Sequence, residues 1–177
     1  MKDNSFDFGS YNSLEDLGIW CEAYDTLLPP KRERKIEIPG RDGMYDFGSE
    51  TYGERTIELQ CKLIEQITKA QLREIAYKLS GKQKLVLWDE PDKYYIAELF
   101  DPTEINNIAD RLWLEFTLTF TCEPFAYSEL KTESITTGIN RINYIGTERT
   151  PTRVVLENKN DFDVTNVSIT ITRRKKG

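Results

Sequence analysis

Residues 111–125 read RLWLEFTLTFTCEPF, and this stretch decides the fold class. Leu112, Leu114, Phe116, Leu118, Phe120 and Cys122 fall on one parity, and Trp113, Glu115, Thr117, Thr119 and Thr121 on the other. Side chains of a strand point alternately to opposite faces, so a period of two over eleven residues predicts a long strand with one buried face. RTIELQCKLI at 55–64 repeats the pattern, with Ile57, Leu59, Cys61 and Leu63 inward and Glu58, Gln60 and Lys62 outward. KQKLVLWDEPDKYYIAELF at 82–100 reads as a hairpin around Asp89-Glu90-Pro91-Asp92. The chain is therefore mainly β, with antiparallel pairing and core positions shared between several strands.

One helix interrupts this texture. In TKAQLREIAYKLSG, residues 68–81, Thr68 and Gln71 have capping-box spacing. Leu72, Ile75, Ala76 and Leu79 form one apolar stripe, and Gly81 stands where a left-handed C-terminal cap is expected. The stripe predicts a helix lying flat on a sheet, an α+β arrangement.

Between the strands lies EIPGRDGMYDFGSETYGER, residues 37–55. A hairpin needs roughly two to five loop residues, whereas residues 39–54 supply sixteen, with four glycines and three aromatics. The preceding KRERKIEIP alternates Lys31, Glu33, Lys35 and Glu37 on one face, while Arg32 and Arg34 precede Ile36 and Ile38 on the other. Only its second half can face a core, so it is expected to project beyond the sheet or to lie at an edge or subunit contact. The loop's mixed charge and aromatics suit a protein contact surface; a loop folded back over its own core stays open as the alternative.

The organisation expected is one domain over 1–130 and, over 131–177, a linker with a short β stub. SELKTESITTGINRINYIGTERTPT is rich in Thr, Ser, Gly and Asn; RVVLEN and VTNVSITITRR then read as two strands. Net charge is −6, but 1–130 carries 15 Lys and Arg against 25 Asp and Glu, and 131–177 carries 9 against 5. An acidic body disfavours binding to nucleic-acid phosphates and suits a surface past which DNA slides. The terminal RRKKG reads as a solvated tail. MKDNSFDFGS lacks a signal peptide's apolar segment, which places synthesis and assembly in a cytoplasm.

The chain has no histidine, which removes the usual base near neutral pH and every Ser-His or Cys-His pair. Asp89, Glu90 and Asp92 beside Pro91 are turn chemistry, not a carboxylate dyad. Asn158, Asn160, Asp161 and Asp163 lack the Gly and Glu of a calcium loop. GRDGMYDFG lacks a phosphate-loop pattern and carries Asp42 and Asp46. No enzyme, metal or cofactor is expected. Cys21, Cys61 and Cys122 sit in expected strands as small buried apolar groups; an odd count argues against a disulfide framework. Trp20, Trp88 and Trp113 keep open a carbohydrate-binding module, and Trp113, on the polar parity of its strand, favours it.

Taken together, FDFGSYNSLEDLGIW, IPGRDGMYDFGSETYGERTIELQCKL, the capped helix ending KLSG, LVLWDEPDKYYIAELF and FTCEPFAY resemble, in kind and order, the distal tail proteins of long-tailed, non-contractile phages and prophages. The resemblance covers residues 5–127, and I-P-G-R-D-G followed by Y-G-E-R is its most specific part. It implies a β-sandwich with a helix, related to tail tube proteins, six copies of which form a ring. That ring joins the tail tube to the tail-tip or receptor-binding machinery in the virion, with a channel for DNA. A tube or baseplate hub subunit is the nearest rival. On this resemblance the loop becomes a subunit-bridging arm, with Gly40, Arg41, Asp42, Gly43, Met44, Tyr45, Phe47 and Tyr52 as contact candidates and Lys31, Arg32 and Arg34 as a contact strand. Family members commonly carry a second β-sandwich domain; GTERTPTRVVLENKNDFDVTNVSITI resembles the opening of one, in a short member or a fragment.

Overall fold

The computed structural model describes residues 4–24, 29–32, 35–46, 48, 51–65, 67–99 and 115–172. The expectations for Arg34, Phe47, residues 111–114 and the terminal RRKKG lie outside the described residues. The described residues up to Thr132 form one compact unit, and those from Glu133 onward a second.

In the first unit the strands are β1 (Phe6–Phe8), β2 (Tyr11–Asn12), β3 (Ile19–Tyr24), β4 (Lys35–Glu37), β5 (Met44–Asp46), β6 (Arg55–Leu63), β7 (Lys82–Leu87), β8 (Lys93–Leu99), β9 (Glu115–Cys122) and β10 (Tyr127–Ser128). The helix α1 is Lys69–Lys78. Eight strands make one antiparallel sheet in the order β2-β1-β7-β8-β9-β6-β3, with β10 also on β8. The sheet curls on itself, because Asn4, two residues before β1, reaches the far edge strand β3. Asn4 O accepts from Cys21 N at 2.8 Å, and Asn4 Nδ2 donates to Cys21 O at 2.8 Å. Ser13 O likewise accepts from Ile19 N at 2.7 Å. The two layers expected of a sandwich are halves of this one curled sheet.

The interior follows the alternation. Ile57 faces Phe120 and Leu59 faces Leu118 in the β6–β9 register, and all four are buried. Phe6 and Phe8 of β1 close on Phe120 from the other layer, with ring centroids 5.7 and 5.3 Å apart. Lys93 N donates to Glu90 O at 3.0 Å, closing the β7–β8 hairpin at the expected turn. After Cys122 the chain kinks at Glu123-Pro124-Phe125 and rejoins β8 with its register shifted by two residues. Proline has no N–H to give the ladder, which fits the interruption there.

Helix α1 starts as read. Gln71 N donates to Thr68 Oγ1 at 3.3 Å and Thr68 N to Gln71 Oε1 at 2.8 Å, a complete capping box. Ile75 and Leu79 enter the core and Leu72 is half-buried, but Ala76 is exposed, so the helix is held along a narrower line than its stripe implies. Leu79 is the C-cap, and Gly81, two residues on, takes φ +80°. Thr68→Ala removes the cap acceptor. It is expected to cost about 1 kcal/mol, read as a lower urea midpoint with an unchanged slope.

In the second unit no residue from 133 to 172 lies in a strand or helix. The strands expected over 153–158 and 164–174 are thus absent as far as residue 172: Val155, Leu156, Val167, Ile169 and Ile171 are all exposed. Alternation alone does not make a strand, since two or three strands by themselves are only marginally stable.

Candidate subunit-contact arm

The long loop is a β-arm, and the strand before it pairs with the loop, not with the main sheet. At the base, Gly53 N donates to Pro30 O at 2.7 Å and Arg32 N to Thr51 O at 2.8 Å, with Lys31 bridged to Tyr52. Further out, β4 and β5 form a separate two-stranded ribbon, Lys35 opposite Asp46, Ile36 opposite Tyr45 and Glu37 opposite Met44. At the tip, Arg41 N donates to Ile38 O at 3.1 Å across Pro39-Gly40, with Gly40 at φ +84°. Proline then glycine with positive φ is the signature of a type II turn, which explains the I-P-G of the motif.

The ribbon contributes nothing to the core. Ile36 is 55% exposed, Met44 64%, and Ile38 and Tyr45 41% each. The strand projects beyond the main sheet, one of the arrangements its sequence allows, and its apolar second half does not turn to the core. Ile36 and Tyr45 share a face and, by alternation, so does Ile38. The Arg41 guanidinium lies 5.1 Å from the Tyr45 ring centroid. Gly40, Arg41, Asp42, Gly43, Met44 and Tyr45 thus gather at the outer end of the arm. Lys31, Arg32 and Tyr52 sit at its base, and Arg34 and Phe47 lie outside the described residues.

The base is tied to the body by aromatic and cationic contacts. Tyr52 meets Phe125 edge to face at 5.1 Å, so this candidate anchors the arm to its own chain. Arg55, where the arm re-enters the sheet, is buried; its Nη1 donates to Tyr95 Oη at 3.0 Å, and its guanidinium lies 5.3 Å from that ring's centroid. Burial raises the Tyr95 hydroxyl above the usual tyrosine range, partly offset by Arg55, and burial pushes the nearby Cys122 thiol up to about 12. Reading the sequence missed Arg55, because a charged residue at a strand start ordinarily points outward; the Arg of Y-G-E-R in the motif was the available signal. Arg55→Ala strips a buried bond from Tyr95 and is expected to cost about 1.5–3 kcal/mol, with Tyr95→Phe costing less, in urea titrations.

The remaining candidates have contacts within the chain. Lys93 Nζ donates to Glu90 Oε1 at 2.6 Å within its turn. Asn158 Oδ1 accepts from Asn160 N at 3.0 Å, an Asx-type turn. Trp88 packs against the core, and Lys62 Nζ lies 5.7 Å from the Trp20 ring centroid. Among the described residues no helix is long and apolar enough to cross a membrane, and no group of His, Cys, Asp or Glu is arranged to hold a metal ion.

Comparison with known proteins agrees with this architecture. No curated protein matches the chain. Among solved structures, the crystal structure of the Dit protein of phage SPP1, described as a paradigm of the hub adsorption apparatus in phages infecting Gram-positive bacteria, is similar in fold. It has a TM-score of 0.53 at 19% identity, covering 70% of this chain and 51% of that one. The chain therefore spans about half the length of that protein. Residues 16–122, more than half of the sequence, match the phage tail protein RIFT-related domain. The chain belongs to that family and is a phage tail protein.

Proposed function

We propose that this protein is a non-catalytic structural subunit of the virion tail that forms a ring hub at the distal end of the tail tube. Six copies close the ring, which joins the tube to the tail-tip or receptor-binding proteins and leaves a central channel for DNA. One observation carries the reading: a two-stranded arm stands off the body with Ile36, Ile38, Met44 and Tyr45 exposed. A lone ribbon of this kind is marginally stable in water, so it calls for a partner surface, and a neighbouring copy always supplies one. The family and the fold of the SPP1 Dit protein support the placement in the tail, and the acidic balance of residues 1–130 suits a channel along which DNA slides without sticking.

A hub and a tube subunit differ in whether rings stack. Negative-stain images of the purified protein at rising concentration are expected to show rings that stop at one or two layers. Filaments that lengthen with concentration would replace the hub by a tube subunit.

A further inference from the structure

The sheet topology brings together two cysteines forty residues apart in sequence. Cys21 of β3 and Cys61 of β6 are direct partners in the antiparallel register, both buried, with their Sγ atoms 3.3 Å apart. The backbone places them in the closer class of pair. Both main-chain groups of Cys21 are engaged by Asn4 on the side away from β6, so Cys21 and Cys61 form a non-hydrogen-bonded pair. Such pairs hold their Cα atoms about 4.5 Å apart, within the roughly 4.4–6.8 Å that a disulfide spans.

We propose that Cys21 and Cys61 are a disulfide-forming pair, a modification site that reacts with small disulfides of the glutathione class and staples β3 to β6. One cysteine sulfur, after losing its proton, attacks a sulfur of the small disulfide and expels a thiolate. The second cysteine sulfur attacks the mixed disulfide and expels the other half. Two electrons and two protons pass from the pair to the small disulfide, which leaves as two thiols. The new bond closes a chain segment that contains the whole arm, from its base at Pro30 and Gly53 to its tip. Its consequence is a body in which the arm's two roots are covalently linked through neighbouring strands. Cys122 has no part in it; its Sγ faces Phe120 O at 3.8 Å. In the folded chain the reaction is slow, because the hydrogen bond with Cys21 and then burial hold the Cys61 thiol far above the usual range and the reagent needs an opening of the sheet.

The test uses the full chain, refolded from denaturant in a buffer rich in oxidised glutathione, then alkylated and mapped by peptide mass spectrometry. Titratable thiols are expected to fall from three to one, with a single linked peptide joining Cys21 to Cys61. The oxidised form should melt about 5 °C or more above the reduced form, and dithiothreitol should restore all three thiols. Cys122→Ala should give the same linked peptide. Three free thiols after refolding, a stable glutathione adduct on either cysteine, a link involving Cys122, or an oxidised form that melts lower would each overturn the proposal.

Discussion

Ile36→Asp with Tyr45→Asp is expected to leave the chain folded and to abolish its assembly. Both side chains lie on one face of the β4–β5 ribbon, and neither touches the core. Charging them therefore removes little from the isolated chain, and its melting temperature should stay within about 2 °C of wild type. In an assembly the same face has to be desolvated. Burying an aliphatic or aromatic side chain contributes roughly 1.5–3 kcal/mol, and leaving a carboxylate unpaired in its place costs more. Two such changes weaken each contact by at least ~3 kcal/mol, on the order of a hundredfold or more in its dissociation constant. A closed ring repeats the contact at every interface, so the loss compounds. Light scattering coupled to size-exclusion chromatography reads the result, with thermal melts as the control. An unfolded double variant would mean that the ribbon covers its own body after all, and an unchanged oligomer would move the contact elsewhere.

The other large effect concerns Phe120, whose ring is fully buried between Phe6 and Phe8 of the opposite layer. Phe120→Ala removes a ring that joins the two halves of the curled sheet and leaves a cavity beside Phe6 and Phe8. A loss of about 3–5 kcal/mol is expected, against a total stability of roughly 5–15 kcal/mol for a domain. Urea titration should show a much lower midpoint. Phe120→Leu keeps most of the volume and should recover more than half of the loss. A loss below ~1 kcal/mol for the alanine variant would mean that the two layers do not depend on this contact.

Phe120 and Ile36 also mark what the sequence makes legible. Phe120 belongs to a strand buried on one face only, and such a strand shows its inside directly: β6 alternates buried and exposed positions along almost its whole length. The capping box of α1 is legible because both partners are local. Ile36 and Ile38 show where periodicity stops being informative. Their alternation is real, but alternation does not say what covers the apolar face, and here both side chains are exposed. Val167, Ile169 and Ile171 repeat the lesson, with a strand-like pattern in a segment that forms no ladder. Cys21 and Cys61 looked like two separate apolar positions because their meeting depends on which strands neighbour each other. That is a property of the whole sheet. Arg55 was invisible for a related reason, since its bond to the β8 neighbour Tyr95 depends on which strands lie side by side.

Surface ion pairs add little to this account. Lys62 lies 3.1 Å from Glu22 and 3.2 Å from Glu115, and Lys82 lies 2.7 Å from Glu123, all on exposed or partly exposed faces. Pairs of this kind contribute about 0–1 kcal/mol and are screened by salt. Assembly driven by the apolar face of the arm should therefore persist at ionic strengths that dissolve a charge-driven contact.

If a neighbouring copy covers the arm and the copies close into a ring, the assembly has one discrete size. Native mass spectrometry of the purified chain across a range of concentrations tests it most directly. The expected result is a discrete species of about 124 kDa, six times the 20.6 kDa chain, that survives dilution to low micromolar concentration and is lost in the Ile36→Asp, Tyr45→Asp variant. A monomer at every concentration, or a ladder of sizes with no preferred closed species, would contradict it.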